Sequence, residues 1–202
     1  MLVCCKINND AALNEKALKI SSGWRLEKAA KLKNESDVRR SITAGLLLDY
    51  CVLKSGLKNI NLAVDGKGKP YSTDKGVFFS LSHSGDYAVC AFSNKPVGVD
   101  VQKIKSVKQR VIDYVCSEKE KAAINISGEA DVTFAKFWAL KESLIKAAGL
   151  SINEVKNTEF DITPQNIVTG PEGFKFTLYD DLSGYILAVC EKNKKCRRKP
   201  AF

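Results

Sequence analysis

A single histidine, one methionine and no Cys-x-x-Cys pair in 202 residues leave little from which to build a zinc centre. The seven cysteines (Cys4, Cys5, Cys51, Cys90, Cys116, Cys190 and Cys196) are odd in number and irregularly spaced, which reads as reduced, mostly buried thiols and not as a disulfide framework. No apolar run approaches the ~20 residues of a spanning helix; the longest, Ala44 to Val52, is interrupted by Asp49. The N-terminus has no basic segment followed by an apolar stretch and a small-residue cleavage site, so the expectation is a cytoplasmic protein. Acidic residues are outnumbered, 23 against 32 lysines and arginines, for a formal charge of +9. Six of those nine charges are Lys192, Lys194, Lys195, Arg197, Arg198 and Lys199, so residues 1–191 carry only +3 and prefer anions mildly. The basic tail reads as a solvated end, with an acidic partner as its functional alternative.

What is present is ordinary globular material: 45% hydrophobic and 27% charged residues, enough for one large core or two small ones, which excludes disorder for most of the chain. Leu2 to Ile7 reads as a first strand, Asp10 as the cap of a helix to about Ile20, and Trp24 to Leu32 as a second helical stretch. From Asp37 to Leu53 the apolar positions Val38, Ile42, Leu46, Tyr50 and Leu53 recur at helical spacing. Turn residues at Asp65 to Pro70 follow, then β-rich runs at Val77–Leu81, Tyr87–Phe92 and Val97–Val101. The second half repeats this order, with helices predicted at Val107–Val115, Glu118–Ile124 and Asp131–Ala148, a capping box of Ser117 with Glu120, and strands near Phe174–Tyr179 and Gly184–Cys190. Ser84-Gly85-Asp86-Tyr87 through Cys90 also echoes Ser183-Gly184-Tyr185 through Cys190. Helices followed by strands predict an α+β fold and not a doubly wound sheet. We expect two related lobes, residues 1–95 and 96–191, and a basic tail over 192–202.

Three places carry candidate chemistry. On the helix ending at Ala148, Lys141 falls in the middle of the apolar arc formed by Phe134, Phe137, Leu144, Ile145 and Ala148, while Glu142 lies just beyond Trp138 and Lys146 follows. An unpaired buried ammonium costs several kcal/mol, so Lys141 either snorkels, leaving Glu142 and Lys146 as a surface pair at i, i+4, or meets an anion. In Val97-Gly98-Val99-Asp100-Val101-Gln102, strand alternation puts Asp100 and Gln102 side by side on one face. Two such oxygen donors become a magnesium site when another carboxylate and a phosphate binder lie opposite; alone they read equally as a polar strand end. His83, between Ser82 and Ser84 at the end of a predicted strand, has no glycine elbow beside either serine, which argues against a hydrolase triad. Its N–H, the serine hydroxyl and turn amides suit a phosphate, with Lys69 adding charge from its Gly-Pro turn.

Gly68-Lys69-Pro70-Tyr71, Ser80-Leu81-Ser82-His83-Ser84-Gly85-Asp86, Val97-Gly98-Val99-Asp100-Val101-Gln102 and Phe134 through Gly149 follow one another in an order that closely resembles the 4′-phosphopantetheinyl transferases. The resemblance spans residues 68–149, and its most specific mark is W-x-x-K-E-x-x-x-K, Trp138 to Lys146. More narrowly, the chain is similar to the two-lobed, monomeric kind that activates peptide synthetases. The resemblance implies lobes related by a pseudo-twofold axis, each a small antiparallel sheet packed with helices, with coenzyme A as co-substrate between them. It implies transfer of the 4′-phosphopantetheine arm to a serine of an apo acyl or peptidyl carrier protein, with Mg2+ on the pyrophosphate and release of adenosine 3′,5′-bisphosphate.

By motif, the resemblance places the metal on Asp100, Gln102 and Glu142, and coenzyme A phosphates on Lys69, Ser82 and His83, with Lys141 and Lys146 facing the pyrophosphate. Arg25, Lys28, Arg40 and Ser41 match the family's 3′-phosphate and adenine-side contacts by spacing; a helix N-terminus near Arg40 and Ser41 would aid anion binding, and a solvated basic face is the other reading. Many relatives carry glutamate where this chain has Gln102, which leaves the implied metal site one negative charge short. Glu142 is the expected general base, Asp100 the second choice, with Lys146 stabilising developing charge. Two rivals stand beside this reading: a non-catalytic module that binds coenzyme A or a carrier, supported by Gln102, and a nucleic-acid binder, supported by overall charge but by no aromatic-basic interleaving.

Overall fold

The computed structural model describes residues 1–7, 16–17, 23–66 and 68–193. Strand β1 (Leu2–Lys6) is followed by helices α1 (Gly23–Ala30) and α2 (Glu35–Lys54), a hairpin of β2 (Leu62–Val64) and β3 (Pro70–Ser72), and strands β4 (Phe78–Ser84) and β5 (Tyr87–Ser93). The order then recurs. Strand β6 (Val97–Lys103) leads into helices α3 (Gln109–Val115), α4 (Glu118–Ile126), α5 (Ala130–Ala148) and α6 (Ile152–Val155), a strand pair β7 (Asp161–Ile162) and β8 (Val168–Thr169), and strands β9 (Phe174–Tyr179) and β10 (Tyr185–Lys192). The helix expected from Asp10 to about Ile20 lies outside the described residues apart from positions 16–17.

The two main sheets have one topology. Their strand orders are β1-β5-β4 and β6-β10-β9, antiparallel throughout, so in each the opening strand takes an edge and the last strand the centre. This is the expected α+β architecture of two similar antiparallel sheets packed with helices. The echoed Ser-Gly segments occupy equivalent hairpin turns, and both glycines adopt the left-handed conformation (φ 53° at Gly85, 77° at Gly184) that a side chain would resist. Ser117 and Glu120 form their capping box at the start of α4.

Strand alternation divides the apolar residues among three clusters. Ala88, Cys90 and Phe92 of β5 face α2, meeting Ala44, Leu47, Leu48 and Cys51. Ile186, Ala188 and Cys190 of β10 face α5, meeting Phe137, Leu140 and Leu144. The intervening residues of β5, β6 and β10 (Val89, Ala91, Val97, Val99, Val101, Leu187) form a third layer between the sheets. There Tyr87 and Tyr185, from the two equivalent strands, pack edge to face with ring centroids 4.9 Å apart.

Polar groups finish the joint. Strand β6 bonds to β10 on one edge only, and on its other edge the N–H groups of Val99, Val101 and Lys103 donate to the hydroxyls of Ser80, Ser82 and Ser84 at 3.1, 3.4 and 3.1 Å. Serine at every second position of β4 thus satisfies a strand edge that would otherwise be buried without partners. It also explains why β4 continues past Leu81, where the apolar pattern stops: the residues that look like a loop in sequence are strand residues whose side chains bond to the neighbouring strand.

Helix α5 lies directly on β6 at Gly98. A β-carbon at that position would sit 1.9 Å from the Ser143 carbonyl oxygen and 2.6 Å from the Ala147 nitrogen, both backbone atoms that no rotamer change can move. Gly98 therefore sets the depth at which α5 crosses the sheet. Gly98→Ala is expected to destabilise the protein by about 3 kcal/mol or more in urea unfolding, and to lower the activity proposed below even where the protein stays folded.

Candidate active site

A cleft of about 500 Å³ opens between the two sheets, with Lys69, Leu81 and His83 on one side and Asp100, Gln102, Glu142 and Lys146 on the other. The β2–β3 loop presents Lys69, because the Asp65 carboxylate and carbonyl accept from the backbone N–H groups of Lys69 (2.8 Å) and Gly68 (2.9 Å). Asp100 and Gln102 project from one face of β6, as alternation predicts, and α5 brings Glu142 and Lys146 to them.

Asp100 is the centre of the arrangement and is only 6% exposed. Its Oδ1 accepts from the Ser82 hydroxyl at 2.7 Å and from the Lys146 ammonium at 2.7 Å. Lys146 also donates to the Val99 carbonyl at 3.0 Å, and Lys69 donates to the carbonyl of Lys146. Burial and the neighbouring Lys146 push the Lys69 ammonium below its ordinary value, with Asp65 opposing. Burial and then the charge of Asp100 push the Glu142 carboxyl up, with Lys146 opposing. Two carboxylates and two lysines thus share one crevice, with Asp100, Lys146 and Lys69 each held by bonds to the protein.

The adenine-side residues divide. Arg25 and Ser41 line the cleft and are buried, with Arg25 Nη1 donating to Ser41 Oγ at 3.4 Å. Gly45 on α2 makes room for this arginine, since a β-carbon there would meet its Nε at 2.3 Å. Burial lowers the Arg25 guanidinium to about 10, against the pull of Asp49. Arg40, expected beside Ser41, is turned away. Its guanidinium pairs with Asp37 at 2.6 Å and bonds Ser36 Oγ at 3.1 Å within α2, and it does not line the cleft. Lys28 lies on α1, with its side chain outside the described atoms. Asp37, Leu32, Ala44 and Trp138 line the cleft and were not anticipated as site residues. Trp138 was visible on the α5 wheel beside Glu142, whereas nothing local marks Leu32 or Ala44 apart from other apolar residues.

Two expected ligands have different roles. Lys141 was placed against a pyrophosphate; instead it is 0% exposed, on the far side of α5, where its Nζ pairs with Glu120 Oε2 at 3.0 Å. The apolar arc did demand an anion for it, and that anion is a side chain of the protein. Ser82 reaches the cleft wall, but its hydroxyl donates to Asp100 and accepts from Val101 N–H, so it holds a carboxylate in place. His83, on the next residue of β4, is exposed and faces the cleft.

Among the described residues no group of three or more His, Cys, Asp or Glu could hold a metal. The pair Asp100 and Glu142 nonetheless fits a hard divalent cation: both line one cleft, burial and then the charge of Asp100 raise the Glu142 carboxyl, and a cation between them would offset that repulsion. Gln102 Nε2 donates to the Lys103 carbonyl at 3.2 Å, which leaves its amide oxygen to serve as a neutral third donor.

Residues 96–190, which include β6 and α5, match the model of the 4′-phosphopantetheinyl transferase superfamily. A 4′-phosphopantetheinyl transferase of Bacillus subtilis is 28% identical over 181 residues, covering 84% of this chain and 81% of its own. The 4′-phosphopantetheinyl transferase Sfp of Bacillus subtilis strain 168 is 25% identical, covering 69% of this chain and 65% of its own. The L-aminoadipate-semialdehyde dehydrogenase-phosphopantetheinyl transferase of Xenopus laevis is 34% identical over 154 residues. This chain spans about half the length of that relative, 51%. Over residues 96–190 the chain is thus similar to the 4′-phosphopantetheinyl transferase superfamily, and the relatives that match more of its length carry the same name.

If Ser82 serves Asp100, Ser82→Ala removes a donor to a buried carboxylate and an acceptor for the Val101 N–H together. The expected cost is about 1–3 kcal/mol in urea unfolding, and an unchanged midpoint would show that neither bond matters to the fold.

Proposed function

We propose that this chain transfers the 4′-phosphopantetheine group of coenzyme A to a serine of an apo acyl or peptidyl carrier protein. The observation that carries the reading is the convergence of Asp100, Glu142, Lys146 and Lys69 on one cleft, from a loop before one sheet and from the strand and helix of the next. Residues 1–95 and 96–191 would be the two lobes enclosing it, with the protein working as a monomer in the cytoplasm; among the described residues no helix is long and apolar enough to cross a membrane.

In this reading the carrier serine oxygen attacks the β-phosphorus, forming a new P–O bond while the bond to the bridging oxygen breaks and adenosine 3′,5′-bisphosphate departs. The serine proton goes to Glu142, directly or through one water. Glu142 lines the cleft in which such a substrate would lie. Asp100 is the weaker base candidate, since its Oδ1 already accepts hydrogen bonds from Ser82 and Lys146. Lys146 and Lys69 supply positive charge where the leaving oxygens develop negative charge, and they are fixed before substrate arrives. His83 and Lys69 are positioned for the phosphates, and Arg25 with Ser41 for the nucleotide end, where Leu32 and Ala44 offer an apolar wall. Mg2+ held by Asp100 and Glu142, with the amide oxygen of Gln102 beside them, would neutralise charge on the pyrophosphate.

The positive charge of the protein supports an acidic carrier as partner, steered to the cleft at low salt. The basic tail lies almost wholly outside the described residues, and its removal is expected to leave the chemistry unchanged. The rival module that binds without turnover has Gln102 as its support. Incubation with coenzyme A, Mg2+ and several apo carriers in parallel decides between the two: a carrier heavier by one phosphopantetheine group is expected, and binding without that gain in mass would overturn the enzyme reading.

Glu142→Gln should lower transfer by about 10²–10⁴-fold with an unchanged circular dichroism spectrum; near-normal turnover would remove Glu142 from the mechanism. Gln102→Glu restores a negative charge and should shift the Mg2+ titration of activity to lower concentration. Identical titrations would show that position 102 does not touch the metal.

A further inference from the structure

We propose that Lys141 and Glu120 act as a positioning pair, setting Glu142 and Lys146 in the cleft from a place where neither touches substrate. The inference rests on the transferase reading for its consequence in turnover, but its geometry stands by itself.

Both side chains are 0% exposed. Lys141 Nζ pairs with Glu120 Oε2 at 3.0 Å and lies within hydrogen-bond distance of three backbone carbonyls, those of Val155 (3.3 Å), Lys156 (3.1 Å) and Thr158 (2.5 Å), so that its three N–H donors are shared among four acceptors. Glu120 is equally occupied: Oε2 accepts from Ser117 N–H at 3.0 Å and Oε1 from Phe160 N–H at 3.2 Å. The Phe160 ring covers the ammonium, 5.8 Å from its centroid. One ammonium therefore ties α5 to the start of α4, to the end of α6 and to the strand of chain that follows.

A network of this kind is a poor device for stability alone, because well-packed apolar residues of similar volume commonly serve as well or better. What it adds is registry. Ammonium bonds to a carboxylate and three carbonyls fix both the rotation and the height of a helix, which apolar contacts define less sharply. Lys141 immediately precedes Glu142, so about 100° of helix rotation separates the anchor from the group it would aim. On the other side Gly98 lets α5 seat against β6. Helix α5 is thus held at two points, one on each flank of the Glu142–Lys146 face. The anchored region also shapes the approach to Glu142: Val115, Tyr114 and Ile152, together with Trp138 and Glu142, line a second hollow of about 470 Å³.

Removing Lys141 leaves a buried carboxylate and three carbonyls without their donor. The informative variant therefore exchanges both ions, Glu120→Leu with Lys141→Met, and is compared with Lys141→Met alone. The single variant should lose thermal stability. The double variant removes the unpaired carboxylate and should regain part of that stability, the three carbonyls and the Ser117 and Phe160 N–H groups still lacking their partners, yet its kcat in the carrier assay should stay about 100-fold below wild type, with a smaller change in KM for coenzyme A because His83, Arg25 and Ser41 line the cleft from elements other than α5. Recovery of kcat together with the melting temperature would overturn the proposal and leave the pair a purely structural feature. Amide hydrogen exchange gives a readout independent of turnover: peptides from residues 130–148 should exchange faster in the folded double variant than in wild type, and unchanged exchange there would overturn it equally. A wild-type protein that modifies no carrier would sink the transferase reading, while the exchange measurement would still decide the positioning role.

Discussion

One carboxylate oxygen joins the parts of this protein that matter to its chemistry. Asp100 Oδ1 receives a hydroxyl from β4 of one sheet and an ammonium from α5, which packs on the other, at the same 2.7 Å. Because Asp100 is nearly buried, these bonds cannot be exchanged for water without cost, and the carboxylate needs both. The joint between the sheets, the seat of the long helix and the charge at the base of the cleft are therefore parts of one contact. The serine ladder extends it along the strand edge, and the Tyr87–Tyr185 contact closes the joint near the paired hairpins.

That arrangement balances charge without neutralising it. Two carboxylates, two lysines and an arginine are drawn into a small volume, where burial moves Glu142 up and both Lys69 and Arg25 down. Glu142, Lys69 and Arg25 are thus each displaced toward their neutral forms within one crevice. Gln102 adds a neutral amide, and no further charge, to the acidic side of this balance.

Much of this was legible beforehand. Alternation put Asp100 and Gln102 together, the helical period put Glu142 and Lys146 on neighbouring faces of α5, and the repeated Ser-Gly turns marked two equivalent hairpins. The failures are instructive because the local inference was sound in each. Lys141 did need an anion, but a wheel gives a direction and not what lies along it; Glu120, distant in sequence, occupies that place. Arg40 stood near a helix start, yet Asp37 lies three residues earlier on the same helix and captures it. Ser82 lines the cleft as expected, and its hydroxyl also serves a neighbouring strand edge and Asp100, which no local pattern shows.

The amino-acid order by itself determined the elements, the chemical character of each face and the family resemblance, because periodicity, turn residues and short motifs are local properties. Tertiary packing decided which charges face the cleft and which face one another. Whether a lysine meets a substrate phosphate or a buried glutamate depends on what the fold places across from it, and that partner comes from a part of the chain that no local pattern can point to.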